Sequence, residues 1–199
     1  MSYQRFCGII PCECYYTEGV FYDKNRRSDD VFKKLAEIPC FVLVDGNAFQ
    51  QLSNLKYVNI ENCTAIGTGA FSRCKSLQSV KISKKITIGE HAFYDCNILS
   101  DIDLNKCVLI GSYAFKNCRS LTNVNLNSCI QINSRAFDGC IGLKEISLNM
   151  MRIGSYAFYN CKNLNKVYIK TENVIPIGKS VFYNNDKIIS NLKIYLQPG

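Results

Sequence analysis

The chain has 199 residues, 47% of them hydrophobic and 20% charged, with a formal net charge of +8. That supplies ample apolar material for a core of one domain or two. No apolar run of about 18 or more residues occurs, which excludes a membrane-spanning helix, and Met1 to Cys7 lacks the apolar segment of a signal peptide. A cytosolic protein, a missing leader or unconventional export all fit that N-terminus.

Residues 1–43 stand apart from the rest. They hold six Lys/Arg against six Asp/Glu, while residues 44–199 hold eighteen against ten and carry the whole excess. Cys7, Cys12 and Cys14 lie close together, followed by Tyr15, Tyr16, Phe21 and Tyr22. With Cys40 these cysteines allow free thiols, two disulfides or a zinc site; no paired Cys-x2-Cys unit marks a common zinc module. Lys24 to Asp30 reads as a loop. Ser28 or Asp29 caps an expected short helix from about Asp30 to Glu37, which Pro39 ends. The segment from Cys40 to Val44 reads as a buried strand. Residues 1–43 are expected to form an N-terminal cap, and residues 44–199 a solenoid of about seven repeats.

The repeat is carried by phenylalanine. Phe49, Phe71, Phe93, Phe115, Phe137, Phe158 and Phe182 follow one another at spacings of 22, 22, 22, 22, 21 and 24. Five residues earlier stands Val44 or an isoleucine: Ile66, Ile88, Ile110, Ile132, Ile153 and Ile177. Alanine precedes each phenylalanine except Phe182, and cysteine follows three later at Cys74, Cys96, Cys118, Cys140 and Cys161. Next comes a strand-like segment, as in Leu121-x-x-Val124-x-Leu126-x-x-Cys129-x-x-Ile132, which fits the leucine-rich-repeat template. Val124 and Leu126 are expected to face inward, and Asn123, Asn125 and Asn127 outward. One repeat cannot bury its apolar face alone, so the stack is the core.

Four residues before each phenylalanine stands Asp45, Gly67, Gly89, Gly111, Asn133, Gly154 or Gly178. These residue types tolerate a left-handed backbone, so a positive φ is expected there. The cysteine columns, including Cys63, Cys107 and Cys129, read as buried thiols donating to backbone carbonyls. Disulfides between stacked neighbours remain open on distance.

The pattern Ile66-Gly67-Thr68-Gly69-Ala70-Phe71-Ser72-Arg73-Cys74-Lys75-Ser76-Leu77-Gln78-Ser79-Val80-Lys81-Ile82 resembles the BspA-like (Treponema-type) leucine-rich repeats. The resemblance covers about residues 44–196. It implies an α/β-type solenoid with short parallel strands on a concave face and an irregular or short-helical convex side. It also implies protein or glycan binding, with adhesin-like members at cell surfaces. The alternative is an intracellular interaction or regulatory module.

No residues read as an active site, and no cofactor is expected. His91, the lone histidine, stands at a variable repeat position and reads as an exposed loop residue. Asp101 and Asp103 share one side of a strand and read as a solvated acidic pair or a cation site. The candidate partner surface is the outward strand face: Tyr57, Asn59, Lys81, Asp101, Asp103, Asn123, Asn125, Glu145, Lys166, Tyr168, Lys170, Lys193 and Tyr195. With Glu61 counted, that face is neutral overall, acidic in the middle and basic with tyrosines at its C-terminal end. The excess charge lies elsewhere, as at Arg73 and Lys116. A basic stripe with interleaved aromatics is not evident, so no nucleic acid is expected. An open final strand invites self-association.

Overall fold

The computed structural model describes residues 14–17, 20–23, 43–44, 46–61, 63–149, 152–170, 176–184 and 187–197. In chain order its strands are β1 (Cys14–Thr17), β2 (Val20–Asp23), β3 (Leu43–Val44), β4 (Tyr57–Asn59), β5 (Ala65–Ile66), β6 (Ser79–Lys81), β7 (Ile86–Ile88), β8 (Asp101–Ile102) and β9 (Cys107–Ile110). There follow β10 (Asn123–Leu126), β11 (Gln131–Ile132), β12 (Glu145–Leu148), β13 (Arg152–Ile153), β14 (Lys166–Lys170), β15 (Tyr183–Asn184), β16 (Lys187–Ile188) and β17 (Lys193–Gln197). β1 and β2 pair antiparallel, as do β15 and β16. Cys7, Cys12, Cys40 and the helix expected near residues 30–37 lie outside the described residues.

Each rung of the solenoid but the last contributes one strand to each of two parallel ladders; the last joins the second through a single bridge from Ile177 to Ile153. The first ladder is β4-β6-β8 and, after a break in pairing, β10-β12-β14-β17. The second, β3-β5-β7-β9-β11-β13, runs without interruption and holds the two parts of the first together. The alternation expected for the Leu121 repeat is present: in β10, Asn123 and Asn125 are exposed and Val124 and Leu126 buried. The chain turns from the first ladder to the second at a polar corner. Asn59, Asp103 and Asn125 each accept the amide of the residue two positions on, at 3.1, 2.9 and 3.1 Å. Such side-chain-to-backbone turns are the usual work of Asn and Asp.

The core is a set of stacked columns. Phe71, Phe93, Phe115, Phe137 and Phe158 are fully buried. Consecutive rings from Phe49 to Phe182 lie 5.1–5.7 Å apart and nearly parallel. Beside them runs the thiol ladder. Cys74, Cys96, Cys118, Cys140 and Cys161 donate to the carbonyls of Phe49, Phe71, Phe93, Phe115 and Phe137 at 3.0–3.1 Å. These five, with Cys63, Cys107 and Cys129, are buried thiols outside any disulfide.

Two expectations are corrected. Among the described residues there is no helix, so the convex side is not short-helical and the fold is a β-solenoid rather than α/β. The reason lies in the backbone beside each phenylalanine. Residues two before it (Asn47, Gly69, His91, Tyr113, Arg135, Tyr156, Ser180) and two after it (Gln51, Arg73, Asp95, Asn117, Gly139, Asn160) have left-handed φ between 51° and 76°. That alternation points their amides along the stack rather than along a helix axis: His91 N–H bonds Ser112, Phe93 bonds Ala114 and Asp95 bonds Lys116 in the next rung. The turn side is thus a third row of inter-rung hydrogen bonds.

The positive φ therefore does not fall on Gly67, Gly89, Gly111, Asn133, Gly154 or Gly178; Asp45 lies outside the described residues. Glycine is used there for clearance. A Cβ on Gly111 would sit 2.6 Å from Glu90 N and from Gly89 C in the preceding rung. Asn133 is the described copy that carries a side chain at this place.

Candidate functional site

The outward face of the first ladder is set by strand register. Tyr57, Ser79 and Asp101 lie side by side, as do Asn59 and Lys81. Beyond the break, Asn123, Glu145, Lys166 and Lys193 form one row and Asn125, Ser147, Tyr168 and Tyr195 another. Lys170 stands exposed at the end of β14, across from Gln197. Strand register puts Tyr57, Asn59, Lys81 and Asp101 in an N-terminal group and Asn123, Asn125, Glu145, Lys166, Tyr168, Lys170, Lys193 and Tyr195 in a C-terminal group across the break, while Asp103 lies just beyond β8.

Local pairing assigns several of them structural work. Lys81 binds Glu61 at 2.9 Å, and this ammonium holds the Glu61 carboxyl below its ordinary range, helped by Ser83 and Asn59. Tyr57 donates to Gln78 at 3.0 Å, and Ser79 donates to Asp101 at 2.8 Å. Asn59, Asp103 and Asn125 are corner residues. Asp101 and Asp103 are exposed, and among the described residues they gather no third acid, His or Cys around them.

The C-terminal group is different. The rings of Tyr168 and Tyr195 stack at 5.1 Å and 18°. Lys166 pairs with Glu145 across the strands, and that hydrogen bond raises the Lys166 pKa. Glu145 is thereby neutralised, so the acidic middle reduces to Asp101 and Asp103. Lys170 and Lys193 remain exposed beside the tyrosines. β17 also presents Ile194 and Leu196, in register with the buried Val167 and Ile169 of β14.

The five Phe-linked thiols are poor nucleophiles. Burial pushes Cys74 up to about 12 and drives Cys96, Cys118, Cys140 and Cys161 the same way. The Cys107 thiol is raised by a hydrogen bond shared with Cys129 and by burial. No helix among the described residues is long and apolar enough to cross a membrane.

A second surface was not found from the sequence. The turn side carries a column, two residues before each phenylalanine, of Asn47, Gly69, His91, Tyr113, Arg135 and Tyr156. His91 is not a loose loop residue: its ring stacks on Tyr113 at 4.9 Å and 9°, and Tyr94 lies 5.5 Å away. The Arg135 guanidinium lies 4.5 Å over Tyr156, Arg73 lies 5.8 Å from the Tyr94 ring and Lys116 Nζ 5.6 Å from that of Tyr113. Cations and aromatics do interleave on one face, and it is this one. Asp138, buried beneath, binds both Arg135 and Lys116 at 3.0 Å. The signal was the 22-residue spacing of His91, Tyr113 and Arg135, masked by their chemical variety. An open cleft of about 500 Å³ lies among Asn47, Gln50, Ser72, Arg73, His91 and their neighbours.

Comparison with known proteins agrees with this geometry. The family described as BspA type leucine rich repeat region matches residues 42–150 and 108–195, in six copies. The structure is similar to a leucine-rich repeat protein from Bacteroides ovatus ATCC 8483, with a TM-score of 0.57 and 24% identity. The match covers 76% of this chain and 42% of that one, so it spans less than half of that protein. A T. pallidum leucine-rich repeat protein matches with a TM-score of 0.48 and 22% identity, over 62% of this chain and 71% of that one. A leucine rich cell surface protein from Faecalibacterium prausnitzii A2-165 matches with a TM-score of 0.46 and 28% identity, over 66% and 43%. No curated protein matches the sequence.

Proposed function

This chain belongs to the BspA-type leucine-rich repeat family, and on that premise we propose that it is a non-enzymatic scaffold binding a protein partner on the outward face of β10, β12, β14 and β17. The observation that carries the proposal is the Tyr168–Tyr195 stack flanked by Lys170 and Lys193. Stacked tyrosines offer large contact area at small entropic cost, and the flanking ammonium groups select an acidic partner surface. The ordered polar rows of Asn123, Asn125 and Ser147 extend the contact towards the break in the ladder. Residues 1–43 are the cap of the stack in this reading. The narrower form places the protein at a cell surface as an adhesin-like molecule, against the alternative of an intracellular module. Immunolabelling of intact against permeabilised cells separates these.

The test is a variant carrying Lys166→Glu, Lys170→Glu and Tyr168→Ala. Immobilised wild-type and variant proteins are compared for retention of partners from the native cell extract, with a second variant, Lys75→Glu with Lys84→Glu, altered off this face. Loss of retention confined to the first variant is expected. Equal retention by wild type and the first variant would show that the surface is wrongly chosen.

A further inference from the structure

The column on the turn side changes character at Gly69. His91 and Tyr113 stack, and Arg135 covers Tyr156, so neighbouring rungs pack side chain on side chain. The rung before His91 carries Gly69, which has no side chain to continue the stack. Tyr113 occupies one face of the imidazole. A Cβ on Gly69 would collide with the Asn47 carboxamide oxygen, so the Asn47 side chain reaches over the glycine from the rung before and takes the place of the absent one. Asn47, Gly69 and His91 together line the cleft of about 500 Å³.

The groups lining the cleft share one chemistry. Asn47 and Gln50 bring two carboxamides, each donor and acceptor, and Thr68 and Ser72 bring two hydroxyls. The His91 ring, stacked on Tyr113 and with Glu90 Oε1 3.4 Å from its Nδ1, gives a flat group in the lining. Arg73 brings a guanidinium, steadied by the Tyr94 ring and without a carboxylate partner among the described residues. Lys116, the other cation in the lining, is already held by Asp138. Carboxamides and hydroxyls suit vicinal diols, a flat platform suits the C–H face of a pyranose, and an open guanidinium fork suits a carboxylate. A polyanion such as nucleic acid gains affinity from many paired phosphates, and a site with one open cation does not supply them.

We propose that this cleft binds a saccharide unit bearing a carboxylate, of the uronic acid class, with its ring against His91 and its carboxylate on Arg73. The cleft volume lies in the range of small-molecule sites. The site is separate from the strand face assigned to a protein partner and does not rest on that assignment.

Binding of trigalacturonate to the full chain is measured by calorimetry, beside the trisaccharide whose carboxylates are reduced to alcohols and an oligothymidylate of similar size. A charge-assisted hydrogen bond predicts that the acid binds at least about tenfold more tightly than its reduced form. In Arg73→Gln that preference disappears while the reduced sugar binds as before. In His91→Ala both sugars weaken together. The Lys166→Glu, Lys170→Glu, Tyr168→Ala variant binds the acid like wild type, so failure of the strand-face reading and failure of this one are told apart. Equal affinity for acid and reduced sugar overturns the proposal, as does wild-type affinity in Arg73→Gln, no saccharide binding at millimolar concentration, or tighter binding of the oligothymidylate. Circular dichroism of each variant controls for folding.

Discussion

Replacing Phe115 by alanine tests whether the ring stack is the spine of the molecule. Phe115 is fully buried, with Phe93 and Phe137 each 5.1 Å away on its two faces. Truncating a buried phenylalanine to alanine costs about 3–5 kcal/mol. Two lost ring contacts, each worth about 0.5–1.5 kcal/mol, place this site at the upper end. Phe182 is only half-buried and stacks on Phe158 at 5.7 Å, so Phe182→Ala costs about 1–2 kcal/mol. Domains are stable by about 5–15 kcal/mol, so the first change consumes a large share and the second a small one. Stability of a stacked array is close to a sum over neighbouring rungs, so the central change also uncouples its two halves and broadens the transition. The assay is urea unfolding followed by far-ultraviolet circular dichroism and by tyrosine fluorescence, since the chain has no tryptophan. Equal costs for the two variants, or less than about 2 kcal/mol at Phe115, would refute the reasoning.

The thiol ladder makes a prediction about pH. The folded chain holds Cys74 protonated up to about 12 against an ordinary value of 9.0, so its contribution is complete below pH 9 and is lost as pH climbs towards 12. The melting temperature is expected to fall over that window, and the five Phe-linked thiols to react with a maleimide only in denaturant; labelling of folded protein at the denatured rate would sink this account. Gly111→Ala tests clearance against backbone conformation. Overpacking against Gly89 and Glu90 costs about 1–3 kcal/mol, offset by about 0.4–1 kcal/mol from a stiffer unfolded chain. A melting temperature a few degrees lower is expected, at about 2–4 °C per kcal/mol for a chain of this size. A variant that melts at or above the wild-type temperature contradicts the steric reading.

The repeat was legible because its inward positions do one job in every copy. Phe, Ala, Ile and Cys recur at fixed places since each must fit between identical neighbours above and below. The outward strand residues were legible for the same reason, as the period-2 alternation around Val124 and Leu126 places Asn123 and Asn125 without ambiguity. The turn side was not. Gly69, His91, Tyr113 and Arg135 differ in every chemical respect and share only a left-handed backbone, which residue type does not advertise outside glycine and asparagine. The glycine four before phenylalanine misled in the opposite way. Its residue type suggested unusual φ, but the constraint was a neighbour's backbone 2.6 Å from a missing methyl.

By itself, the sequence determined that this chain is a leucine-rich-repeat solenoid, where its core columns run and which residues line its first strand face. Those are nearest-neighbour properties of a periodic pattern, and periodicity survives in one dimension. The tertiary structure alone decided that the return side is a second continuous ladder with a hydrogen-bonded turn row instead of helix. It also decided that pairing breaks between β8 and β10, and that Asn47, Gly69, Arg73 and His91 from successive rungs line one cleft. Such features depend on which residues from different rungs meet across about 5 Å of stacking distance, and that meeting is set by backbone geometry which no single repeat specifies.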